Sequence, residues 1–184
     1  AAGTSSDHVA ILNAYSDWQR ARSQGGGRGR DFCWHNFLSE NTLEMIQDMR
    51  YQFLDVLEEA GFLSVDAGPG PTGGQQPFRR SKHQALRSLS QHAHELDLLK
   101  AILCAGTFPN VVTVNQGKRF AKFKTREDGK VDLHPSSVNA KKNYFEEDWI
   151  VYSDKVKSSG IFIRANTMVS VSYTHLTLPT NREV

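Results

Sequence analysis

Cysteine is nearly absent from this chain: among 184 residues only Cys33 and Cys104 carry thiols, and neither has a paired neighbour. That excludes a disulfide scaffold and a Cys-rich zinc site, and it points to a reducing intracellular compartment, cytoplasmic or nuclear. Long apolar runs are missing too. The longest, such as Ile102–Leu103–Cys104–Ala105, are a handful of residues, whereas a membrane-spanning helix needs about 20. No membrane partner is expected. The opening Ala1–Ala2–Gly3–Thr4 has neither a basic stretch nor an apolar one, so no secretory leader is expected. It also lacks an initiator Met, and the chain is expected to begin inside a longer protein.

Catalytic signatures are likewise lacking. There is no Gly-x-x-x-x-Gly-Lys-Ser/Thr phosphate loop, no Gly-x-Ser-x-Gly elbow and no His-Glu-x-x-His helix. The glycine-rich Gly25–Gly26–Gly27–Arg28–Gly29–Arg30 invites comparison with a phosphate cradle or an RGG-type RNA contact, but no strand precedes it. A solvated loop is favoured. His92 and His94, two apart on an expected helix, diverge by about 200° and cannot share a metal. Glu146, Glu147 and Asp148 read as a solvated turn. No catalytic residue and no metal site are expected.

What the chain does have is an uneven distribution of charge. Residues 1–107 carry ten Lys/Arg against twelve Asp/Glu, a net of −2, while residues 108–170 carry eleven against seven, a net of +4. Lys118, Arg119, Lys122, Lys124 and Arg126 fall within nine positions free of acids. A polyanion would bind in this second part.

The first part reads as helices. Ser5–Ser6–Asp7 offers capping oxygens, and Val9, Leu12, Tyr15 and Trp18 recur at helical spacing, with Ile11 and Ala14 widening the stripe. Glycines over 25–29 break the pattern at about 1 kcal/mol each. After a short apolar piece from Phe32 to Leu38, Asn41 and Glu44 resemble a capping box, and Leu43, Ile46, Phe53, Leu54 and Leu57 form a buried face. Gly61 suits a left-handed C-cap. Residues 64–81 are a linker, dense in glycine and proline. A third helix is expected from about Ser81 through Leu86, Leu89, Ala93, Leu96, Leu99 and Leu103, ended by Gly106 and Pro109. Trp18, Trp34 and Trp149 each have apolar neighbours and are expected in cores rather than against bases.

After Pro109 the period becomes that of strands. Val111–Val114, Arg119–Thr125, Lys130–His134, Trp149–Val156 and Gly160–Ala165 alternate or are β-branched, and Glu127–Asp128–Gly129 signals a hairpin. Five short strands with a basic face suggest a small OB-like barrel. On a strand over 119–126, Phe120, Lys122, Lys124 and Arg126 point to one side. A ring among three cations suits single-stranded nucleic acid, whose bases stack and whose phosphates need countercharge. It also suits an edge strand solvated by lysines. Lys155 and Lys157 extend the surface or are simply solvated.

Particular strings then carry a resemblance. Ser6–Asp7–His8–Val9–Ala10–Ile11–Leu12–Asn13–Ala14–Tyr15 with Trp18 resembles a helix of the DEAH/RNA-helicase-A-type RNA helicases. Phe32–Cys33–Trp34, Asn36–Phe37–Leu38–Ser39, Met49–Arg50 and Gln52–Phe53 are similar to the helices that follow it in that family. Ile102–Leu103–Cys104–Ala105–Gly106, Pro109–Asn110–Val111, His134–Pro135–Ser136–Ser137–Val138–Asn139, Trp149–Ile150–Val151–Tyr152 and Lys155–Val156–Lys157–Ser158–Ser159 continue in the right order, with Arg164 and Thr167 after them.

The resemblance spans residues 6 to about 170. It implies an α+β chain: a helical, ratchet-like helicase-associated bundle over 1–107, then a partial OB-fold barrel over 108–170. Residues 171–184 resemble a peptide found at artificially truncated ends and are expected to be non-native. The implied role is to grip single-stranded RNA while RecA-like domains of the same protein hydrolyse ATP. ATP and Mg are then cofactors of the parent, with none bound by this fragment. The rival reading is a non-catalytic single-stranded RNA-binding or adaptor module.

Overall fold

The structure, a computed structural model, describes residues 5–62 and 90–170. Two compact units emerge: one contains the described residues up to Ala14 and from Glu95 onward, the other those from Tyr15 to His94.

The second unit is helical. Helix α1 spans Asp7–Ser23 and its later turns belong here, followed by α2 over Arg28–His35 and α3 over Glu40–Glu59. Tyr15, Trp18, Cys33 and Leu43 are its buried cluster, with Phe32, Leu38 and Ile46 packed around them. The glycine-rich stretch divides into two parts. Gly25, Gly26 and Gly27 are all left-handed, with φ of 71°, 64° and 79°. Arg28, Gly29 and Arg30, expected in the loop, already belong to α2. Gly29 lets α2 approach α1, since a Cβ there would lie 3.1 Å from that of Arg22.

Other expectations need correction. The cap of α3 is Ser39, whose Oγ accepts from Thr42 N at 3.3 Å, rather than Asn41. Gly61 does take the left-handed position after the helix, at φ 76°. Phe53 and Leu57 are exposed rather than buried, because the cluster meets only the first two turns of this 20-residue helix. Trp34 is 82% exposed, since Phe32 and Cys33 take the inward positions of α2. Ile11 and Leu12 of α1 are exposed as well.

The first unit holds helix α4, Leu96–Thr107, and strands β1 (Val111–Asn115), β2 (Lys122–Thr125), β3 (Gly129–Leu133), β4 (Trp149–Lys157) and β5 (Ile161–Val169). The expected longer helix from Ser81 is shorter where it is described. Residues 90–94 form a turn, so His92 and His94 are not helical, and Asp97 sits in the first turn of α4, where the helix dipole favours an acid. Leu86, Leu89 and the linker at 64–81 lie outside the described residues, as do residues 171–184.

The strands close into a barrel in the order β1-β2-β3-β5-β4, with β3 and β5 parallel and the other pairs antiparallel. The wall closes with strands that lie between Val111 and Val169. Val112, Val114, Phe123, Val131, Phe145, Ile150, Tyr152, Ile163 and Met168 fill the interior. Phe123 and Phe145 meet edge to face at 5.1 Å. Outward-facing Val151 and Val169 pack with Cys104 of α4, so the helix covers the β4–β5 side and leaves the outer face of β2 and β3 open.

A buried polar network ties the start of α1 to the barrel. Ser6 Oγ caps the helix by accepting from Val9 N at 3.0 Å, and meets Thr167 Oγ1 at 2.7 Å. The Asp7 carboxylate accepts from Val138 N at 2.8 Å and from Asn166 N at 2.9 Å. Asn139 Nδ2 donates to Asn166 Oδ1 at 2.8 Å, and Asn166 Nδ2 donates to Ser137 Oγ at 2.8 Å. Two of the strings that carried the resemblance, at residues 6–15 and 134–139, therefore meet through their polar side chains.

His8 completes this arrangement, with Nδ1 2.7 Å from Thr167 Oγ1 and Nε2 2.8 Å from Ser153 Oγ. Burial holds its pKa below the ordinary histidine value, and the neighbouring Asp7 charge only partly opposes this. Between the folded and unfolded pKa values the unfolded chain binds more protons, so stability rises with pH there. The contribution is complete above about 6.5, the unfolded value, and is lost as pH falls through the lower folded one. Urea midpoints should therefore fall from pH 7 to pH 5, and His8→Gln should remove that part of the dependence. A wild-type midpoint unchanged across this range would contradict it.

Candidate nucleic-acid interface

Strand β2 alternates as expected: Lys122 and Lys124 are exposed while Phe123 and Thr125 are buried. Only four residues pair, however, and the strand begins at Lys122 rather than Arg119. The preceding chain turns sharply. A Cβ at Gly117 would come within 2.5 Å of the Phe120 carbonyl oxygen, so this turn requires glycine. Phe120 thus stands in the β1–β2 loop, 70% exposed, rather than on the strand face. Gln116 anchors that loop by donating through Nε2 to Asn143 O at 2.9 Å and accepting from Phe145 N at 3.2 Å. Arg126 opens the β2–β3 turn, and Gly129 closes it at φ 69°.

Register places Lys124 opposite Lys130 of β3 and Thr113 of β1. Lys118 and Arg119, in the loop before β2, are two further exposed cations. Among the described residues, Lys118, Arg119, Lys122, Lys124 and Arg126 make no ion pair, while Lys130 lies 3.9 Å from Asp132. The charge run over 118–126 contained Lys118 and Arg119, but alternation put Arg119 on the opposite side of the expected strand, whereas both residues lie in the loop before it.

Lys155 and Lys157 occupy the outer half of β4. Lys157 is exposed. Lys155 donates to Asp128 Oδ2 at 2.7 Å and to Glu127 Oε2 at 3.1 Å, fastening the β2–β3 turn to β4. Thr125 Oγ1 accepts from Asp128 N at 3.0 Å and tightens the same turn. The hydrogen bond to Asp128, then the one to Glu127, pushes the Lys155 pKa up, and the same contact holds the Asp128 carboxyl below its usual range.

A depressed carboxyl pKa stabilises the fold above the unfolded value, and that stabilisation disappears as pH falls through the folded one. Lys155→Met should therefore return the Asp128 titration, followed by carbon-detected NMR, toward that of an ordinary carboxyl. The pair is exposed, so little global stability should change. An Asp128 titration unmoved by the substitution would show that the lysine does not set it.

Beside β2 a groove of about 900 Å³ opens, bordered by Phe108 and Val111 near the end of α4, by Trp149, and by Lys124 and Arg126. Among the described residues no group of His, Cys, Asp and Glu is placed to hold a metal, and no helix is long and apolar enough to cross a membrane.

A closed five-stranded barrel with one helix-covered side and one open cationic side defines an OB-fold domain. Residues 99–177 match the family model described as the oligonucleotide/oligosaccharide-binding (OB)-fold. Beyond the barrel, the chain is 44% identical over 166 residues to the DExH-box ATP-dependent RNA helicase DExH1 of Arabidopsis thaliana, a match covering 90% of this chain and 15% of that protein. It is 34% identical over 171 residues to the ATP-dependent DNA/RNA helicase DHX36 of Homo sapiens, covering 91% and 15%. With the human ATP-dependent RNA helicase DHX29 it shares 30% over 172 residues, covering 90% and 12%. Residues 99–177 carry an OB-fold domain, and over about nine-tenths of its length the chain is similar to a part of these DExH-box ATP-dependent RNA helicases. It spans 12–15% of the length of these three relatives.

Proposed function

We propose that this chain is the RNA-binding accessory region of an ATP-dependent RNA helicase, and that it grips single-stranded RNA while RecA-like domains of the same protein hydrolyse ATP with Mg. The observation that supports this reading is the exposed Lys122 and Lys124 on the outer face of β2, flanked along the chain by exposed Lys118, Arg119 and Arg126, none of them in an ion pair among the described residues. Phe120 offers a ring to a base, and Lys157 lengthens the phosphate track. Lys155 contributes through the turn it holds beside Arg126. The names of the relatives support the helicase context, and an intracellular site of action follows from it.

The purified chain should bind single-stranded RNA with an affinity that falls steeply with salt, and should not hydrolyse ATP. RNA-stimulated ATP turnover by this chain alone would sink the assignment. The rival, an adaptor without a motor, is separated by reading the transcript upstream of Ala1. A phosphate-loop lysine and a DEAH-like box favour the helicase; a nearby start codon without them favours the adaptor.

A further inference from the structure

We infer that the open apolar face of helix α3 is the docking surface for this chain's own basic segment Phe78–Leu89, which lies outside the described residues. The face follows from the helical repeat. Met45, Met49, Phe53 and Val56 fall within about 80° of one another around the axis, and they are 63%, 47%, 61% and 59% exposed. Leu43, by contrast, belongs to the buried cluster, with Ile46 packed against it. Scattered apolar side chains on a surface are ordinary, but a contiguous row of four marks an interaction surface. Two of the four are methionines, whose unbranched chains adapt to a partner's contours.

One edge of the row is acidic. Asp48 and Glu59 lie beside it, both exposed and neither in an ion pair among the described residues. Glu40 and Glu44, nearer the helix start, are already met by Arg30 and Arg22. Over its length α3 carries six carboxylates against the single base Arg50, and that arginine lies over the Tyr15 ring. A second copy of α3 on this face would set like charges against each other. The face calls for a basic occupant.

The sequence supplies one. There is no acid from Ala67 to His94, and Arg79, Arg80, Lys82 and Arg87 all fall inside Phe78–Leu89. Phe78, Ala85, Leu86 and Leu89 stand at i, i+7, i+8 and i+11, the spacing of one helical face. Lys82 falls within that face and Arg79 at its edge, where long side chains reach an acidic border. The rows also match in length: Met45 to Val56 and Phe78 to Leu89 are each eleven residues, about 16 Å of helix. The 15 residues between Phe62 and Phe78 span about 50 Å when extended, more than the length of α3. An isolated helix of this size is marginal in water, so order in the segment requires its apolar row to be covered.

Hydrogen exchange of the whole chain, read by mass spectrometry, tests the docking. Amides within Phe78–Leu89 should exchange at least about tenfold more slowly than in a free synthetic peptide of the same sequence. Met49→Asp combined with Phe53→Asp should return them to the peptide's rate. Both side chains are exposed, so the bundle should stay folded, and unchanged protection of the α1 amides verifies that. Arg79→Glu with Lys82→Glu should remove most of the protection, and adding Asp48→Lys with Glu59→Lys should restore it, a rescue that loss of fold would not show. Exchange at the peptide's rate in the wild-type chain overturns the inference. Protection that survives the two aspartates on α3 puts the segment on some other surface and overturns it. Protection that grows with protein concentration, alongside a doubled mass in sedimentation, makes a second copy the occupant and overturns it too.

Discussion

Asp7→Ala should cost the barrel unit about 2–6 kcal/mol, because each of the two amides it leaves without an acceptor costs about 1–3 kcal/mol. Its two carboxylate oxygens serve different places: one takes the amide of Val138 in the β3–β4 loop, the other the amide of Asn166 in β5. Truncation leaves both amides without an acceptor: that of Asn166 is wholly buried, and that of Val138 is part-buried. Asp7→Asn keeps one acceptor and should cost roughly half as much. Urea unfolding followed by far-UV circular dichroism measures both. Ser6→Ala makes an informative companion, since it removes a helix cap worth about 1 kcal/mol together with the contact to Thr167. An Asp7→Ala midpoint indistinguishable from wild type would show that the loop and β5 hold their geometry without α1.

Replacing Lys122, Lys124 and Arg126 together by Ala should weaken single-stranded RNA binding most at low salt. Each phosphate neutralised on a single strand contributes a slope of about −0.7 in log affinity against log salt, so three contacts amount to about 2 units. A fourfold rise in salt then closes the gap between wild type and triple variant by roughly 15-fold. Phe120→Ala should behave differently, losing roughly 1–3 kcal/mol at every salt concentration if a base stacks on the ring, with the slope unchanged. None of these side chains is buried or paired among the described residues, so the fold should survive their loss. A triple variant with the affinity and slope of wild type would make β2 an edge solvated by lysines and nothing more.

How legible the site was depended on whether the signal was periodic. Lys122 and Lys124 were readable because alternation over a strand needs only neighbours in sequence: Phe123 and Thr125 must be inside if they are outside. Phe120 was assigned to the same face by extending that alternation two residues too far. The turn at Gly117, set by a close backbone approach to Phe120, gives no periodic sign. Lys155 carries the same charge as Lys157, and only the folding back of the β2–β3 turn gives one of them two carboxylates. Similarly, Phe53 and Leu57 continue a regular helical stripe, yet the described core ends before reaching them.

By itself the sequence determined the class of the chain. Helical spacing up to Thr107, β-branched alternation from Val111 and a run of bases within it follow from local propensity and pattern, which need no knowledge of distant residues. The ordered strings carried the likeness to the DExH-box RNA helicases. Only the tertiary structure decided what those strings do. Ser6, Asp7 and His8 look like a helix cap and its neighbours, but Asp7 spends its carboxylate on backbone amides 131 and 159 residues away. Which open side of the barrel remains for a ligand depends on where Cys104 of α4 settles against Val151 and Val169. Both are contacts between residues far apart in the chain. A hydrogen-bond acceptor or an apolar side chain has the same local appearance whichever distant partner it finds.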